Sequence, residues 1–252
     1  MRLVIVASIA AVCWAQTAFE VASLKPAGPN NLGDGYSLSL LPGGRLHGVN
    51  MSLRQMIQIA WDLKQKNLVT GDVNWLDSQK YDLDAKASGP LGEPEARMML
   101  ETLLLESFHL KYHRETRQLP VYFLQLAKSG VTGPDLHVSP SGDCGKMPNA
   151  QADANPCGGL GISSGRFRGH RTNMEELATD LSLILGRPVF DKTALNGSFD
   201  LTLTWTPEEV AGDASGPSIY TALQEQLGLK VETGRAPVEM IVVDSAEKPT
   251  SN

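Results

Sequence analysis

Basic charge is what this chain lacks most clearly. Twenty-two Lys and Arg residues stand against 28 Asp and Glu, a formal net charge of −6. A duplex-binding protein carries a basic face, and no Lys/Arg cluster occurs here, so nucleic acid is not an expected partner. The chain is equally short of metal-binding patterns: its three cysteines have no zinc-finger spacing. There is no P-loop and no Rossmann glycine fingerprint. No apolar run approaches the roughly 20 residues that a membrane-spanning helix requires. Nothing therefore calls for a cofactor, a resident metal or an integral membrane span.

What is present begins with an export signal. Arg2 supplies a positive start, Leu3–Trp14 an apolar run, and Cys13-Trp14-Ala15 a small-x-small cleavage site, so residues 1–16 read as a secretory signal peptide. Val12, standing before Cys13, argues against lipidation of that cysteine. Removal of the signal leaves Cys144 and Cys157, and an even pair in an exported chain reads as a disulfide. It would close a loop of about 13 residues and contribute about 3 kcal/mol through the unfolded chain. The expected location is periplasmic or secreted.

Next comes an internal repetition. Gly44-Arg45-Leu46-His47-Gly48 returns as Gly165-Arg166-Phe167-Arg168-Gly169. Behind the first copy, Leu53, Met56, Ile57, Ala60 and Leu63 mark one face of a helix; behind the second, Met174, Leu177, Ala178, Leu181 and Ile184 do the same. Ser52 with Gln55, and Asn173 with Glu176, fit capping boxes. Gly186 and Pro188 supply a stop for the second helix. Each helix leads to a short extended piece (Leu68–Thr70; Pro188–Phe190), then to a strand that begins Tyr81-Asp82-Leu83 or Phe199-Asp200-Leu201. A second helix follows in each copy, through Ala96 to Leu104 and through Ile219 to Leu227. Each unit is then expected to close with a hairpin, turning at Arg117 in one and at Thr233-Gly234-Arg235 in the other.

The fold class read from this pattern is α+β: two tandem, internally duplicated units of order β-α-β-β-α-β-β, with helices on one face of small sheets. An extra N-terminal strand, Phe19–Leu24, joins the first unit. The expected organisation is residues 17–127 for the first unit, 128–164 for a Gly/Pro-rich linker carrying the disulfide, and 165–252 for the second unit.

Candidate chemistry is sparse. Gly161-Ile162-Ser163-Ser164-Gly165 matches the form of a nucleophile elbow, which needs a serine on a strained strand-to-helix turn. Here a short strand follows instead, and Gly165 is already explained as the counterpart of Gly44. His109 and His113 are four apart, but the repeat places them on a strand with no third ligand nearby. His47 and His170 do not match each other between the copies. Asp191 reads as turn chemistry. Asp82 and Asp200 share one repeat position, which points to a structural task. No residue is assigned as catalytic. The binding candidates are Trp75 and Trp205, beside the aromatic-Asp strands, and Val238, Met240 and Val242 of the last hairpin, whose edge could accept an added strand.

Two resemblances sharpen this reading. Phe19–Pro26, Gly44-Arg45-Leu46, Leu185–Val189, Asp191-Lys192-Thr193, Phe199–Trp205 and Ala222–Lys230 together resemble a soil-associated family of exported proteins of unknown function, expanded in acidobacterial genomes. Ser218–Val243 is similar to the short N-terminal domain of secretins and TonB-dependent receptors, which implies binding to envelope proteins without chemistry. The functional expectation is a non-catalytic interaction module of the cell envelope or extracellular space, with an envelope or extracellular protein as partner. A small-ligand sensor is the alternative. A serine hydrolase using Ser163 with His170 or Asp191 is the remaining rival.

Overall fold

The computed structural model describes residues 18–28, 35–139, 159–163, 165–207 and 216–249. The proposed signal peptide, Cys13, Cys144 and Cys157 lie outside these residues. The class is α+β with small sheets, as the sequence implies.

In chain order the elements begin with strands β1 (Val21–Pro26), β2 (Ser37–Leu41) and β3 (Arg45–Ser52), then helix α1 (Leu53–Ala60). Next come β4 (Val69–Gly71), β5 (Lys80–Lys86), helix α2 (Glu93–Ser107) and the long β6 (Lys111–Leu126). The later elements are β7 (Leu136–Val138), β8 (Gly159–Ser163), β9 (Arg166–Thr172), α3 (Met174–Leu185), β10 (Val189–Asp191) and β11 (Phe199–Thr204). Helix α4 (Ile219–Ala222) continues as a π-turn over Leu223–Leu227, and β12 (Leu229–Ser245) ends the series.

One sheet has the order β1-β5-β3-β2 and another the order β7-β11-β9-β8. The expected N-terminal strand is thus present as β1, antiparallel to β5. A short strand at the equivalent edge, β7, pairs antiparallel with β11. Both β7 and β8 fall inside the stretch that its composition reads as linker. They are short and glycine-flanked, so periodicity over so few residues does not reveal them.

The caps form as the residues require. Ser52 and Asn173 each accept a bond from the N–H three residues on, and Gln55 and Glu176 return the bond. Helix α3 stops at Gly186 in the left-handed region, φ 62°.

The chain divides into two compact units: residues 1–113 with 241–252, and residues 114–240. In the first unit, Leu53, Met56, Ile57, Leu83, Leu100, Leu104 and Phe108 form the core, joined by Ile241 and Val243 from the end of β12. There Ile241–Val243 pairs in parallel with Val69–Gly71 of β4. In the second unit, Phe167, Leu177, Leu181, Leu201, Leu203, Leu223 and Leu227 form the core, joined by Leu124 of β6. There β10 pairs in parallel with Tyr122–Leu124 of β6. Each unit is therefore completed by a strand end encoded in the other half of the sequence.

The expected hairpins are not formed. β6 runs unbroken through Arg117, and β12 runs unbroken through Thr233-Gly234-Arg235. Neither segment holds the Asn-Gly or Asp-Gly pair that a tight turn favours. Gly234 has no positive φ. It lies instead under the Phe123 ring, where an added Cβ would stand 2.3 Å from Cε2. The glycine is there for close packing.

Candidate functional site

The first unit carries an apolar groove. Leu38 and Leu40 of β2 and Leu46 of β3 form one wall, and Ile59 of α1 with Ala96 and Leu100 of α2 form the other. The cavity is about 220 Å³. The order β1-β5-β3-β2 makes β2 a terminal strand, antiparallel to β3 through Ser37–Leu41. Its side chains alternate, with Leu38 and Leu40 turned toward the core and Ser37, Ser39 and Leu41 exposed. At the rim, Arg97 bonds Asp62 at 2.6 Å and lies 3.5 Å from Glu93.

The second unit carries a polar cavity of about 310 Å³, lined by Asp135, His137, Arg168, Gly169, His170, Asp200, Leu201 and Thr202. Asp200 stands opposite His137 in β7, and His170 Nδ1 lies 3.7 Å from its Oδ1. The same oxygen accepts the Ser139 hydroxyl at 2.7 Å and the Arg171 N–H at 2.9 Å. Burial pushes against ionisation of Asp200. The Arg171 N–H, the Ser139 hydroxyl and the neighbouring His170 and Arg171 side chains outweigh it, so its carboxyl sits below the ordinary range.

Asp82 does the same work in the first unit, accepting the Asn50 N–H at 2.9 Å. Asn50 and Arg171 are both left-handed, at φ 56° and 51°, each within a register shift of its sheet. A non-glycine residue there is unfavourable, and the carboxylate acceptor offsets part of that cost. The shared repeat position is thus occupied by a structural carboxylate in both units.

The binding candidates read from the sequence do not come together. Trp75 stacks on Phe108 at 6.1 Å, with Lys248 Nζ 5.9 Å from its ring centroid. Trp205 packs against the other core, and its backbone N–H donates to the Gly165 carbonyl at 2.9 Å. Val238 and Met240 are buried and Val242 is half-buried. β12 lies between β6 and β4 in its sheet order, and its Ile241–Val243 stretch, Val242 included, is paired on the β4 side. The hairpin reading treated this strand as the end of a unit; parallel pairing with β4 covers its Ile241–Val243 stretch.

The hydrolase constellation is not assembled either. Ser163 pairs with Arg166 in the β8–β9 ladder, whereas His170 pairs with Gly159, four residues along. At about 3.3 Å per residue that is about 13 Å of strand. Asp191 accepts the Thr193 N–H at 2.8 Å, the turn chemistry expected of it. His109 precedes β6 at φ 46°, so it does not share a strand face with His113, which bonds Asp244 at 2.8 Å. Among the described residues no group of three or more His, Cys, Asp or Glu could hold a metal ion. No helix among them is long and apolar enough to cross a membrane.

Both the β2–α2 groove and the polar cavity escaped sequence reasoning. The alternation of Ser37-Leu38-Ser39-Leu40 was the available signal for an amphipathic edge strand.

Comparison with known proteins now gives a family. Residues 54–246 match a family described as protein of unknown function, DUF3738. The chain belongs to the DUF3738 family. The match takes in residues of both units, from the start of α1 past the end of β12, and leaves β1, β2 and β3 before it. No curated protein and no solved structure matches the chain.

Proposed function

We propose that this protein is an exported, non-catalytic interaction module that takes an extended segment of an envelope or extracellular protein into the groove between β2 and α2. The observation that carries this reading is a terminal strand bordering an apolar slot. An extended peptide paired along β2 would gain main-chain hydrogen bonds and set alternate side chains against the slot. Size favours a peptide side chain over a whole small molecule. The cavity of about 220 Å³ is smaller than the roughly 300–1,000 Å³ typical of small-ligand sites.

Export rests on the signal-like residues 1–16. The resemblances read from the sequence, to a soil-associated exported family and, over Ser218–Val243, to secretin and TonB modules, are the further support for an envelope role. In those modules the helix leads into a hairpin, whereas here the same segment is drawn out into β12. We read the two sheets of equivalent strand order as duplicated units.

The test is photocrosslinking from Leu41, which is 39% exposed at the end of β2. The mature chain is offered the exported protein fraction, and crosslinked segments are identified by mass spectrometry. The expected result is one short apolar segment of one partner, lost when Ile59→Lys charges the slot. Crosslinks scattered over many proteins, or unchanged by Ile59→Lys in a folded variant, overturn the reading.

A further inference from the structure

The polar cavity of the second unit is unused by this function, and its chemistry is specific. It lies on the solvent face of the β7-β11-β9-β8 sheet, where alternate residues point away from the core. Two rungs build it. One holds His137, Asp200 and His170; the other holds Thr202 opposite Arg168, with the Thr202 N–H bonding the Asp135 carbonyl at 3.2 Å. Gly161 stands opposite Arg168 and Gly159 opposite His170, so β8 adds no bulk beside either side chain. That accounts for the hollow.

Most classes of ligand fit it badly. One guanidinium faces two carboxylates, with two histidines beside them, so the lining has no excess of positive charge to hold a free anion. The His and Asp side chains here do not form a group of three or more that could hold a metal ion. Leu201 and Gly169 alone are apolar, too little surface for an apolar molecule.

What remains is a ligand that both donates and accepts at many points. Asp135 and Asp200 offer acceptor oxygens, Arg168 offers a donor fork, and Thr202 and the imidazoles can do either. The Arg168 guanidinium and the Asp135 carboxylate bond no other side chain among the described residues. Sugar hydroxyls meet that pattern. At about 310 Å³ the cavity reaches the lower bound of roughly 300 Å³ for small-ligand sites. We infer that this face is a carbohydrate-binding site for a neutral sugar. Asp135 and Asp200 accept from its hydroxyls, while Arg168, His137 and His170 hold its oxygens.

Amide-detected NMR titration of the full mature chain tests this, with glucose, galactose, N-acetylglucosamine and their β-linked disaccharides as probes. Inorganic phosphate and zinc serve as control arms. The expected result is that at least one sugar shifts the amides of Arg168–His170 and Thr202, and Arg168→Ala and His137→Ala each weaken binding about tenfold at unchanged melting temperature. Ile59→Lys, in the other unit, leaves the shifts intact. The inference is overturned if no sugar moves these amides with a Kd tighter than about 10 mM, a binding energy under about 3 kcal/mol. It is overturned equally if phosphate or zinc alone produces the shifts, or if both alanine variants bind as the parent does.

Discussion

Single carboxylates hold the two sheets in shape. Asp82 and Asp200 each take the N–H of a left-handed, non-glycine residue at a register shift, where the strand would otherwise carry an unpaired donor. Asp200→Ala removes that acceptor and should cost about 1–3 kcal/mol in urea unfolding. The pH dependence has a definite sign. Because the Asp200 carboxyl is held below its ordinary value, its contribution is fully present above the unfolded pKa, about 4. It is lost as pH falls through the lower folded value. Unfolding measured from pH 6 down to pH 2 should show this loss in the parent and a shallower one in Asp200→Asn. A parallel fall in both would remove Asp200 from the account.

At the scale of elements, the two long strands are what distinguish this chain from two ordinary hairpin-closed units. Gly234 is the diagnostic position. As a turn residue it would tolerate other small polar residues at moderate cost, but here its lack of a side chain admits the Phe123 ring. Gly234→Ala should therefore destabilise by about 1–3 kcal/mol through overpacking. Phe123→Leu in the same chain should recover part of it, since the ring atoms that collide are gone. Thermal unfolding of the two variants and their combination makes the double-mutant cycle. Additive effects would mean that the two residues do not touch.

For the whole molecule, each unit contains sequence from both halves. The first holds residues 241–252 and the second holds residues 114–126. Ile241 and Val243 in one core and Leu124 in the other are almost wholly buried, and burial of each such side chain is worth about 1.5–3 kcal/mol. A chain cut between residues 149 and 150 by an engineered protease site should thus remain one particle on gel filtration. With reductant present throughout, so that no Cys144–Cys157 disulfide joins the pieces, its two fragments should part only in denaturant. Separation in native buffer would contradict the division into units described above.

The local structure was legible because it is written in local chemistry. Ser52 with Gln55 and Asn173 with Glu176 announce helix starts, Gly186 announces a stop, and the alternation after Tyr81 and Phe199 marks half-buried strands; each signal acts within a few residues. The shared Asp82/Asp200 position likewise pointed to a structural task before its partners were known. The destination of β6 and β12 was not legible, since Arg117 and Gly234 look the same in sequence whether a strand folds back or runs on. Only the parallel pairing of Ile241–Val243 with β4, and of Tyr122–Leu124 with β10, selects the extended form. The groove and the polar cavity belong to the same category. Each assembles residues far apart in the chain, and their proximity follows from strand order and register. The sequence by itself determined the helices, their caps and the strands that begin at Tyr81 and Phe199; tertiary structure decided the short strands β7 and β8, the unbroken course of β6 and β12, which strands complete which core and where the binding surfaces stand, because those are set by long-range pairing.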